Sequence, residues 1–148
     1  MAKVLVIGGG ITGIQAALDL SRLGLSVTLL EKEAELGGKL RQLSALFPRG
    51  ESADDLLAAK KRQLEDNKNI QITTGAEIES VTIQPSGYKI TLKGGGTSLE
   101  ARAAVLATGF DPFDPGPIEE YGYGRLKDVI TAFELEAQLQ EEKVVRPS

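Results

Sequence analysis

The chain of 148 residues carries 17 lysines and arginines against 21 aspartates and glutamates, a net charge of −4, and contains neither cysteine nor histidine. A weakly acidic chain gives no reason to expect binding to nucleic acid or to an anionic membrane. Without cysteine the chain cannot supply a disulfide, a thiolate nucleophile or thiolate ligands for an iron-sulfur cluster. Without histidine it lacks the usual general base and the commonest metal ligand, so we predict no catalytic residue and no metal site.

Hydropathy along the chain argues against a membrane anchor. The apolar run that begins at Val4 is interrupted by Gly8, Gly9 and Gly10 before the core of a signal peptide could form. No stretch reaches the ~20 apolar residues that a helix needs to cross a bilayer. The composition, 41% apolar and 26% charged, is that of an ordinary globular protein. We therefore expect a single domain over residues 1–148, cytoplasmic and without direct membrane insertion.

The first 31 residues show the pattern strand, helix, strand. The short apolar run KVLVIG (3–8) is typical of a strand buried on both faces of a parallel sheet. From Ile11 to Leu23 apolar residues recur every three or four positions, which predicts a helix, and Gly24 is typical of a helix end. The run LSVTLLE (25–31) predicts a second strand, so this segment is expected to form a βαβ unit.

A second helix and a set of alternating strands follow. A pair of residues with the spacing of a capping box predicts the start of a helix over 52–67, and NIQITTG (69–75) predicts a third strand. From about 76 to 102 apolar and polar residues alternate, interrupted by turn residues at 85–87 and 94–96. This alternation predicts a three-stranded antiparallel meander.

The last third of the chain combines one apolar run with irregular sequence. The run AAVLATG (103–109) predicts another buried strand of the parallel sheet. The next stretch, FDPFDPGP, has three prolines in eight residues and excludes regular structure. We expect its neighbouring aromatic side chains to anchor the loop to the core rather than to contact a cofactor or partner. Thr131 and Glu134 have the spacing of a capping box and predict a last helix. The whole pattern indicates an α/β fold, a parallel sheet with flanking helices plus the meander.

The segment GGGITG has glycines at the positions of the G-x-G-x-x-G motif. Gly8 would permit the tight turn out of the strand, Gly10 the close approach of the backbone to a pyrophosphate, and Gly13 the close packing of helix on sheet. The backbone N–H groups of Ile11 and Thr12 would lie at the start of the helix, without partners inside it. Unpaired donors and the positive end of the helix dipole favour a phosphate at that place.

Glu31 strengthens the prediction of a dinucleotide at this turn. It ends the second predicted strand, 18 residues after Gly13, where a carboxylate can accept hydrogen bonds from the ribose hydroxyls. A carboxylate there disfavours the 2′-phosphate of NADP, although Lys32 beside it weakens this preference. The glycine turn alone leaves NAD and FAD open, because both carry a pyrophosphate and an adenosine ribose.

A second glycine pair favours a flavin. Gly37 and Gly38 stand just beyond Glu31 and are followed by Lys39 and Arg41. The combination of the first glycine turn, Glu31, LGGK, the meander and LATG resembles the FAD domain of the two-dinucleotide-binding-domain flavoproteins. The resemblance implies a Rossmann-like FAD/NAD(P)-binding fold, with FAD as the cofactor.

The same resemblance implies which further residues contact the cofactor. The second glycine pair, with Lys39 and Arg41, would join the first turn around the FAD phosphates. The ATG stretch would lie near the flavin, and the segment after the third strand would contact adenine through backbone groups. These residues are Ala107, Thr108 and Gly109 at the flavin end, and Ala76 and Glu77 at adenine.

A narrower resemblance covers roughly residues 3–48 and 103–148. The stretches ATGFDPFDP and EYGYG, followed by DVIT and a glutamate, resemble the A-type subunit of the heterodisulfide reductases and the flavoprotein subunit of quinone-interacting membrane-associated oxidoreductases. This implies the FAD-binding domain of an electron-transferring oxidoreductase, with iron-sulfur or other electron-transfer subunits as partners.

The chain also departs from that pattern. The cysteine-containing stretch that such proteins carry after FP is replaced here by RGESADDLL, and the chain ends before a second nucleotide-binding domain. We therefore expect an N-terminal part of a longer protein, which need not be catalytically complete by itself. Two alternatives stay open: an NAD-binding Rossmann domain of a dehydrogenase, and a non-catalytic nucleotide-binding module that serves assembly.

Overall fold

The computed structural model describes residues 3–94 and 97–148, so part of the predicted turn at 94–96 lies outside the described residues. Those residues form three sheets, three α-helices and two short 3-10 helices. The strands are β1 (Lys3–Ile7), β2 (Ser26–Leu30), β3 (Ala45–Leu46), β4 (Glu51–Ser52), β5 (Ile70–Thr73), β6 (Ile78–Gln84), β7 (Gly87–Leu92), β8 (Ser98–Ala101) and β9 (Ala103–Leu106). The helices are α1 (Ile11–Arg22), α2 (Ala53–Glu65) and α3 (Ala132–Gln140), with 3-10 helices at Gly38–Gln42 and Glu119–Tyr121.

The central sheet is parallel and has the order β5-β2-β1-β9. Val6 in β1 pairs with Leu29 in β2 on one side and with Val105 in β9 on the other. The predicted βαβ unit is thus confirmed, and the run after residue 103 lies beside β1 as predicted. Because all four strands run the same way, their carboxyl ends meet at one edge of the sheet.

Helices α1 and α2 cover one face of this sheet and form its main core. Ile14 and Ala17 of α1 are fully buried against Val6 and Leu29 of the sheet, and Leu64 of α2 is also buried. Burying a leucine or isoleucine side chain stabilises the fold by about 1.5–3 kcal/mol, so this face holds the sheet and helices together. The 3.6-residue apolar period of α1 predicted this packing.

The helix ends follow the predicted signals closely. Gly24 follows α1 with a φ of +79° and donates its N–H to the Ser21 carbonyl at 2.9 Å. Ser52 precedes α2 and its hydroxyl accepts from the Asp55 amide at 3.2 Å. Thr131 precedes α3 and forms a complete capping box with Glu134.

The predicted meander is confirmed as an antiparallel sheet of order β6-β7-β8. Its residues Ile90 and Ala101 pack on Leu5 and Leu30 of the parallel sheet, which form a second, smaller buried cluster. Thr28, paired across the strands with Leu5, is fully buried, and its hydroxyl has no hydrogen-bond partner among the described residues.

The prediction that the strand at 103–109 is buried is wrong. Regular pairing ends at Leu106, and the side chains of Ala103, Ala104 and Leu106 are exposed, the last by 74%. The physical reason is its place in the sheet: β9 is the last strand of the order, and no described strand pairs with its outer edge. An apolar run therefore indicated the parallel strand correctly but not its burial.

The prediction that aromatic side chains anchor the following loop is also wrong for three of them. Phe110, Phe113 and Tyr121 are 64%, 68% and 57% exposed. The proline-rich loop has no regular structure over 110–117, as predicted, and it follows an uncovered strand, so these rings have little to pack against. Tyr123 is half-buried and donates a hydrogen bond to Glu134.

Two local features were not predicted. The segment after the second glycine pair forms the 3-10 helix Gly38–Gln42, and residues 45–52 form a short hairpin of β3 and β4. Neither the 3-10 helix nor two-residue strands have a clear period in sequence. Among the described residues, none of the helices has the length and apolar character to cross a membrane.

Candidate cofactor site

The first glycine turn, residues 8–13, lies where β1 ends and is packed too tightly for a side chain at its first and last glycines. Gly8 has a φ of +107°, and a Cβ there would stand 2.2 Å from the Ala107 carbonyl oxygen. A Cβ on Gly13 would stand 1.8 Å from the carbonyl oxygen of Gly8. The turn thus brings the start of α1 against the end of β9. The glycine spacing predicted close packing of the helix on the sheet, without naming the strand.

The amino-terminal end of α1 is open. Gly10 precedes the helix, and no side chain among the described residues caps it. The first amides of an α-helix have no partner within the helix, which leaves the N–H groups of Ile11 and Thr12 available to an anion. The first turn of α1 contains no aspartate or glutamate, so no carboxylate of that turn neutralises the positive end of the helix dipole. A phosphate fits this arrangement.

Glu31 stands beside this turn and is held by two backbone amides. It is only 7% exposed, with one carboxylate oxygen accepting from the Gly9 N–H at 2.5 Å and the other from the Glu33 N–H at 2.9 Å. A buried carboxylate is costly unless it accepts hydrogen bonds, and these two bonds fix its orientation. Each oxygen keeps a further lone pair that could accept from a ribose hydroxyl.

Gly9 is a part of the site that the glycine motif does not predict. A Cβ at this position would stand 2.4 Å from Leu36 Cδ2 and 2.9 Å from Glu31 Cβ. Its amide also supplies one of the two hydrogen bonds that hold the Glu31 carboxylate. The signal was present as the middle glycine of GGG, which the G-x-G-x-x-G pattern treats as any residue.

The glycine-pair segment, which we define as residues 37–44, lies directly against the first glycine turn. The Gly37 N–H donates to the Gly9 carbonyl at 2.8 Å, and Gly10 and Gly37 form an isolated parallel bridge. A Cβ on Gly38 would stand 3.2 Å from the Gly10 Cα. The structure therefore brings together the two glycine segments that the sequence separates by more than twenty residues.

The two glycine segments, 8–13 and 37–44, together with Glu31 form what we call the cofactor cradle. The three predicted cations around this cradle already have partners in the protein. Lys39 Nζ lies 5.7 Å from the centre of the Phe133 ring, and Arg41 Nη2 lies 3.1 Å from a carboxylate oxygen of Glu35. Lys32 is exposed, 3.9 Å from a carboxylate oxygen of Glu33. These are surface contacts of the kind worth less than about 1 kcal/mol, so a cofactor phosphate could replace them.

The two remaining predicted contact regions lie on opposite sides of the cradle. The Ala107 N–H donates to the Ile7 carbonyl at 2.8 Å and continues the pairing of β9 beside the first turn, while Thr108 and Gly109 are exposed. The Ala76 N–H donates to the Glu31 carbonyl at 2.9 Å, so this amide is not free for adenine. Glu77 is exposed, and its carboxylate binds Lys93 Nζ at 2.5 Å.

The arrangement has the chemistry of a binding site for a dinucleotide. Backbone donors converge at a helix end, a fixed carboxylate stands beside them, and glycines leave room for a ligand to approach. Among the described residues no group of three or more histidine, cysteine, aspartate or glutamate side chains could hold a metal ion. The site can bind a ligand through backbone N–H donors, the Glu31 carboxylate and the space left by the glycines.

The sequence and the fold both match known proteins. The family model for pyridine nucleotide-disulphide oxidoreductases matches residues 2–146. An A-type iron-sulfur subunit of the CoB-CoM heterodisulfide reductase of Methanopyrus kandleri is 28% identical over an alignment of 231 residues. That alignment covers 99% of this chain and 34% of the relative. Because the chain has only 148 residues, the relative contains residues inside the matched region to which nothing here corresponds.

Solved structures share the fold. L-proline dehydrogenase from P. horikoshii superposes with a TM-score of 0.64 and 28% identity, covering 73% of this chain and 22% of that one. A FAD-dependent pyridine nucleotide-disulphide oxidoreductase from Desulfovibrio vulgaris gives a TM-score of 0.55 at 19% identity, covering 75% of this chain and 25% of that one.

These matches confirm the predicted fold and the predicted resemblance to the heterodisulfide reductases, and the flavin prediction agrees with them. The chain spans about a third of the Methanopyrus kandleri relative. The family model matches nearly the whole length of this chain, residues 2–146. The chain therefore belongs to the pyridine nucleotide-disulphide oxidoreductase family.

Proposed function

We propose that this chain is the FAD-binding domain of an electron-transferring oxidoreductase that resembles the A-type subunit of heterodisulfide reductase. The observation that carries the proposal is the contact between the two glycine segments beside the buried Glu31. In the proposed complex the open end of α1 binds the pyrophosphate, and Glu31 accepts hydrogen bonds from the adenosine ribose.

The residues present fit FAD at the adenosine and phosphate end. A Cβ on Gly10 would meet no atom of the described residues within 4 Å beyond its own chain neighbours, so a ligand can approach the backbone from that side. The Glu31 carboxylate is already oriented by the Gly9 and Glu33 amides, so little ordering remains when a ribose binds. The roles of Lys32, Lys39 and Arg41 toward the phosphates are part of the proposal.

Two observations favour a flavin over a nicotinamide as the second half of the dinucleotide. The Gly37 amide bonds to the first glycine turn, which builds a two-sided cradle, and the meander packs on the parallel sheet as the FAD-domain resemblance implied. Bound FAD supplies hydride and one-electron chemistry through its isoalloxazine ring. This chain's own residues would bind and orient the cofactor, with the exposed Thr108 and Gly109 at the flavin end.

Partner subunits follow from the same proposal. The Methanopyrus kandleri relative is named as an iron-sulfur subunit, but this chain has no cysteine. The cysteine ligands of any iron-sulfur cluster that exchanges electrons with the flavin would therefore come from residues outside this chain. The exposed Phe110 and Phe113 stand directly after the proposed flavin contacts, where such a partner could approach.

The test is a titration of the cofactor-free protein with FAD and, separately, with NAD, followed by fluorescence and calorimetry. We expect FAD to bind more tightly, and the variant Glu31→Ala to lose about 10- to 100-fold in FAD affinity, since hydrogen bonds to a charged group contribute about 1.5–3 kcal/mol. The matched control is Glu65→Ala, which removes an exposed carboxylate at the end of α2 and should leave the affinity near that of the parent chain.

The outcomes separate the three candidate functions. Tighter binding of NAD than of FAD would favour a dehydrogenase domain. An unchanged affinity for either nucleotide in Glu31→Ala would favour an assembly module. Thermal unfolding of each cofactor-free variant is measured in parallel, because Glu31 also satisfies the Gly9 and Glu33 amides and its loss destabilises the fold.

A further inference from the structure

The stretch EYGYG…DVIT…E is prominent in the sequence, but the cofactor cradle does not contain it. The structure shows that its residues fix the start of α3. Glu134 accepts hydrogen bonds from the Thr131 amide at 2.6 Å and from the Tyr123 hydroxyl at 3.1 Å. The Thr131 hydroxyl in turn accepts from the Glu134 amide at 3.2 Å, which completes the capping box.

The helix that starts there reaches back across the chain to the glycine-pair segment. Glu136 accepts a hydrogen bond from the Ser44 amide at 2.7 Å. The Gln140 side-chain amide donates to the carbonyls of Arg41 at 3.0 Å and Leu43 at 3.1 Å. The last carbonyls of the 3-10 helix have no partner within the helix, and the Ser44 amide lies just beyond it, so α3 supplies partners to both kinds of group.

A further contact links the two elements near the start of the segment. Lys39 Nζ lies 5.7 Å from the centre of the Phe133 ring, within the distance of a cation–π interaction. The contacts of α3 thus extend from Lys39 to Ser44, and they involve the Lys39 ammonium group and the backbone carbonyl of Arg41.

Apolar burial at this docking is incomplete. No residue of α3 is buried, and Leu135 and Leu139 are each 40% exposed. A cleft of about 430 Å³ remains between the helix, the glycine-pair segment and the first turn of α2. The hydrogen bonds of Glu136 and Gln140 attach α3 to defined backbone atoms of this segment.

We propose that α3 is a clamp that positions the glycine-pair segment for the cofactor, with Glu136 and Gln140 as its positioning residues. The inference rests on the proposed function, because it takes this segment to be one side of a FAD cradle. Holding the segment in its bound shape before the cofactor arrives lowers the ordering cost of binding. The clamp gives the Tyr123, Thr131 and Glu134 motif a structural role in cofactor binding, although none of them lies in the cradle.

The test combines hydrogen–deuterium exchange of the cofactor-free protein with FAD titration. In the double variant Glu136→Ala/Gln140→Ala, amides of residues 38–44 should exchange at least several-fold faster. FAD affinity should fall about tenfold, because the segment must then be ordered when the cofactor binds. The conservative variant Glu136→Gln keeps an acceptor for the Ser44 amide and should hold both readouts close to the parent values.

The matched control is Glu141→Ala, which changes an exposed carboxylate that forms no hydrogen bond or ion pair with the described part of the chain. Unchanged exchange over 38–44 and unchanged FAD affinity in the double variant would overturn the clamp. Gln140→Glu provides a second test that leaves helix propensity intact: its carboxylate would face two carbonyls and should weaken FAD binding as the double variant does. If the parent protein binds no FAD, the proposed function fails, while the exchange measurement still decides whether α3 holds the segment.

Discussion

The packed half of the molecule, formed by β1, β2, α1 and α2, differs sharply from its open edge, formed by β9 and residues 107–126. Leu29 in the packed half is fully buried, whereas Leu106 on the open edge is 74% exposed. Both leucines stand in similar apolar runs and both strands are parallel, so hydrophobicity alone does not decide burial. The residues packed around each strand decide it: Leu29 lies in the main core with residues of α1 and α2, whereas β9 is the last strand of the order and has a described neighbour on one side only.

The cofactor cradle is built where these two regions meet. Gly8 and Gly13 belong to the packed half and contact Ala107 at the beginning of the open edge. The adenosine and phosphate end of the proposed cofactor therefore lies against the packed half. The proposed flavin end faces exposed residues such as Thr108 and Phe110.

The largest effect is expected from a side chain placed inside the first glycine turn, in the packed half beside Ala107. Gly13→Ala puts a Cβ 1.8 Å from a backbone oxygen that cannot move without disturbing the first glycine turn, and should cost about 4 kcal/mol or more of unfolding free energy. Gly10→Ala, three residues earlier, is the control. Its Cβ would meet no atom of the described residues within 4 Å beyond its chain neighbours, so the free energy of unfolding should change little, while FAD affinity should fall. Denaturant unfolding and FAD titration check the pair. Equal stability losses in both variants would contradict the packing argument.

A pair of leucine truncations tests the contrast between the packed half and the open edge directly. Leu29→Ala should lower the unfolding free energy by about 3 kcal/mol, because it leaves a cavity in the main core. Leu106→Ala should change it by less than about 0.5 kcal/mol, since most of the side chain is already in water. The measurement is urea-induced unfolding of both variants under one condition. A large loss from Leu106→Ala would show that the open edge is covered in solution.

A smaller effect of opposite sign is expected inside the packed half. The Thr28 hydroxyl is buried without a hydrogen-bond partner among the described residues, and a buried unsatisfied group costs about 1–3 kcal/mol. Thr28→Val replaces this hydroxyl by a methyl group of similar size and should raise the unfolding free energy by about 1 kcal/mol. Thermal unfolding checks the direction, with the exposed Thr74→Val as the control. A loss of stability in Thr28→Val would mean that the hydroxyl has a partner in solution.

The smallest effect concerns pH and the start of α3. The Thr131 amide, and after it the Thr131 hydroxyl and Tyr123, hold the pKa of the Glu134 carboxyl below its ordinary value of 4.5. A group whose pKa is lowered by folding stabilises the fold above its ordinary pKa and loses that contribution as the pH falls through the lower folded value. The protection of residues 131–140 from hydrogen exchange, measured relative to the intrinsic rate at each pH, should therefore decrease as the pH falls below 4.5. In Glu134→Gln this decrease in protection should disappear.

The alkaline side has the opposite sign. The hydrogen bond that the Tyr123 hydroxyl donates to Glu134 raises the pKa of that hydroxyl above 10.0, so the neutral phenol is favoured in the fold. This contribution is present below pH 10.0 and is lost as the pH rises through the raised value. Tyr123→Phe removes it and should leave the acid transition of Glu134 largely in place, because the Thr131 amide remains its principal partner.

Most of the cradle could be predicted from local pattern. Gly8, Gly10, Gly13 and Glu31 lie within one βαβ unit, and short connections leave that unit few ways to fold. The contact between Gly37 and Gly9 required the family resemblance, since spacing alone does not say that the chain returns to the first turn. Gly9 was missed because its requirement comes from Leu36 and Glu31, residues that meet it only after folding.

Some features could not be derived from sequence period at all. The 3-10 helix at Gly38–Gln42 and the hairpin of β3 and β4 are too short to carry a period. The docking of α3 depends on Ser44 and Glu136, which are 92 residues apart. A capping box indicates where such a helix begins but contains no information about what the helix contacts.

Local sequence pattern was enough to predict the kind of each long element, the starts and ends of the helices, the glycine turn and the carboxylate beside it. These depend on interactions between residues close in the chain: periodicity, capping and the steric limits of glycine. The tertiary structure alone decided that β9 is exposed, that Gly9 orients Glu31, and that α3 contacts the glycine-pair segment. Each of these depends on which distant residue is the neighbour in space, and the same local pattern is compatible with more than one neighbour.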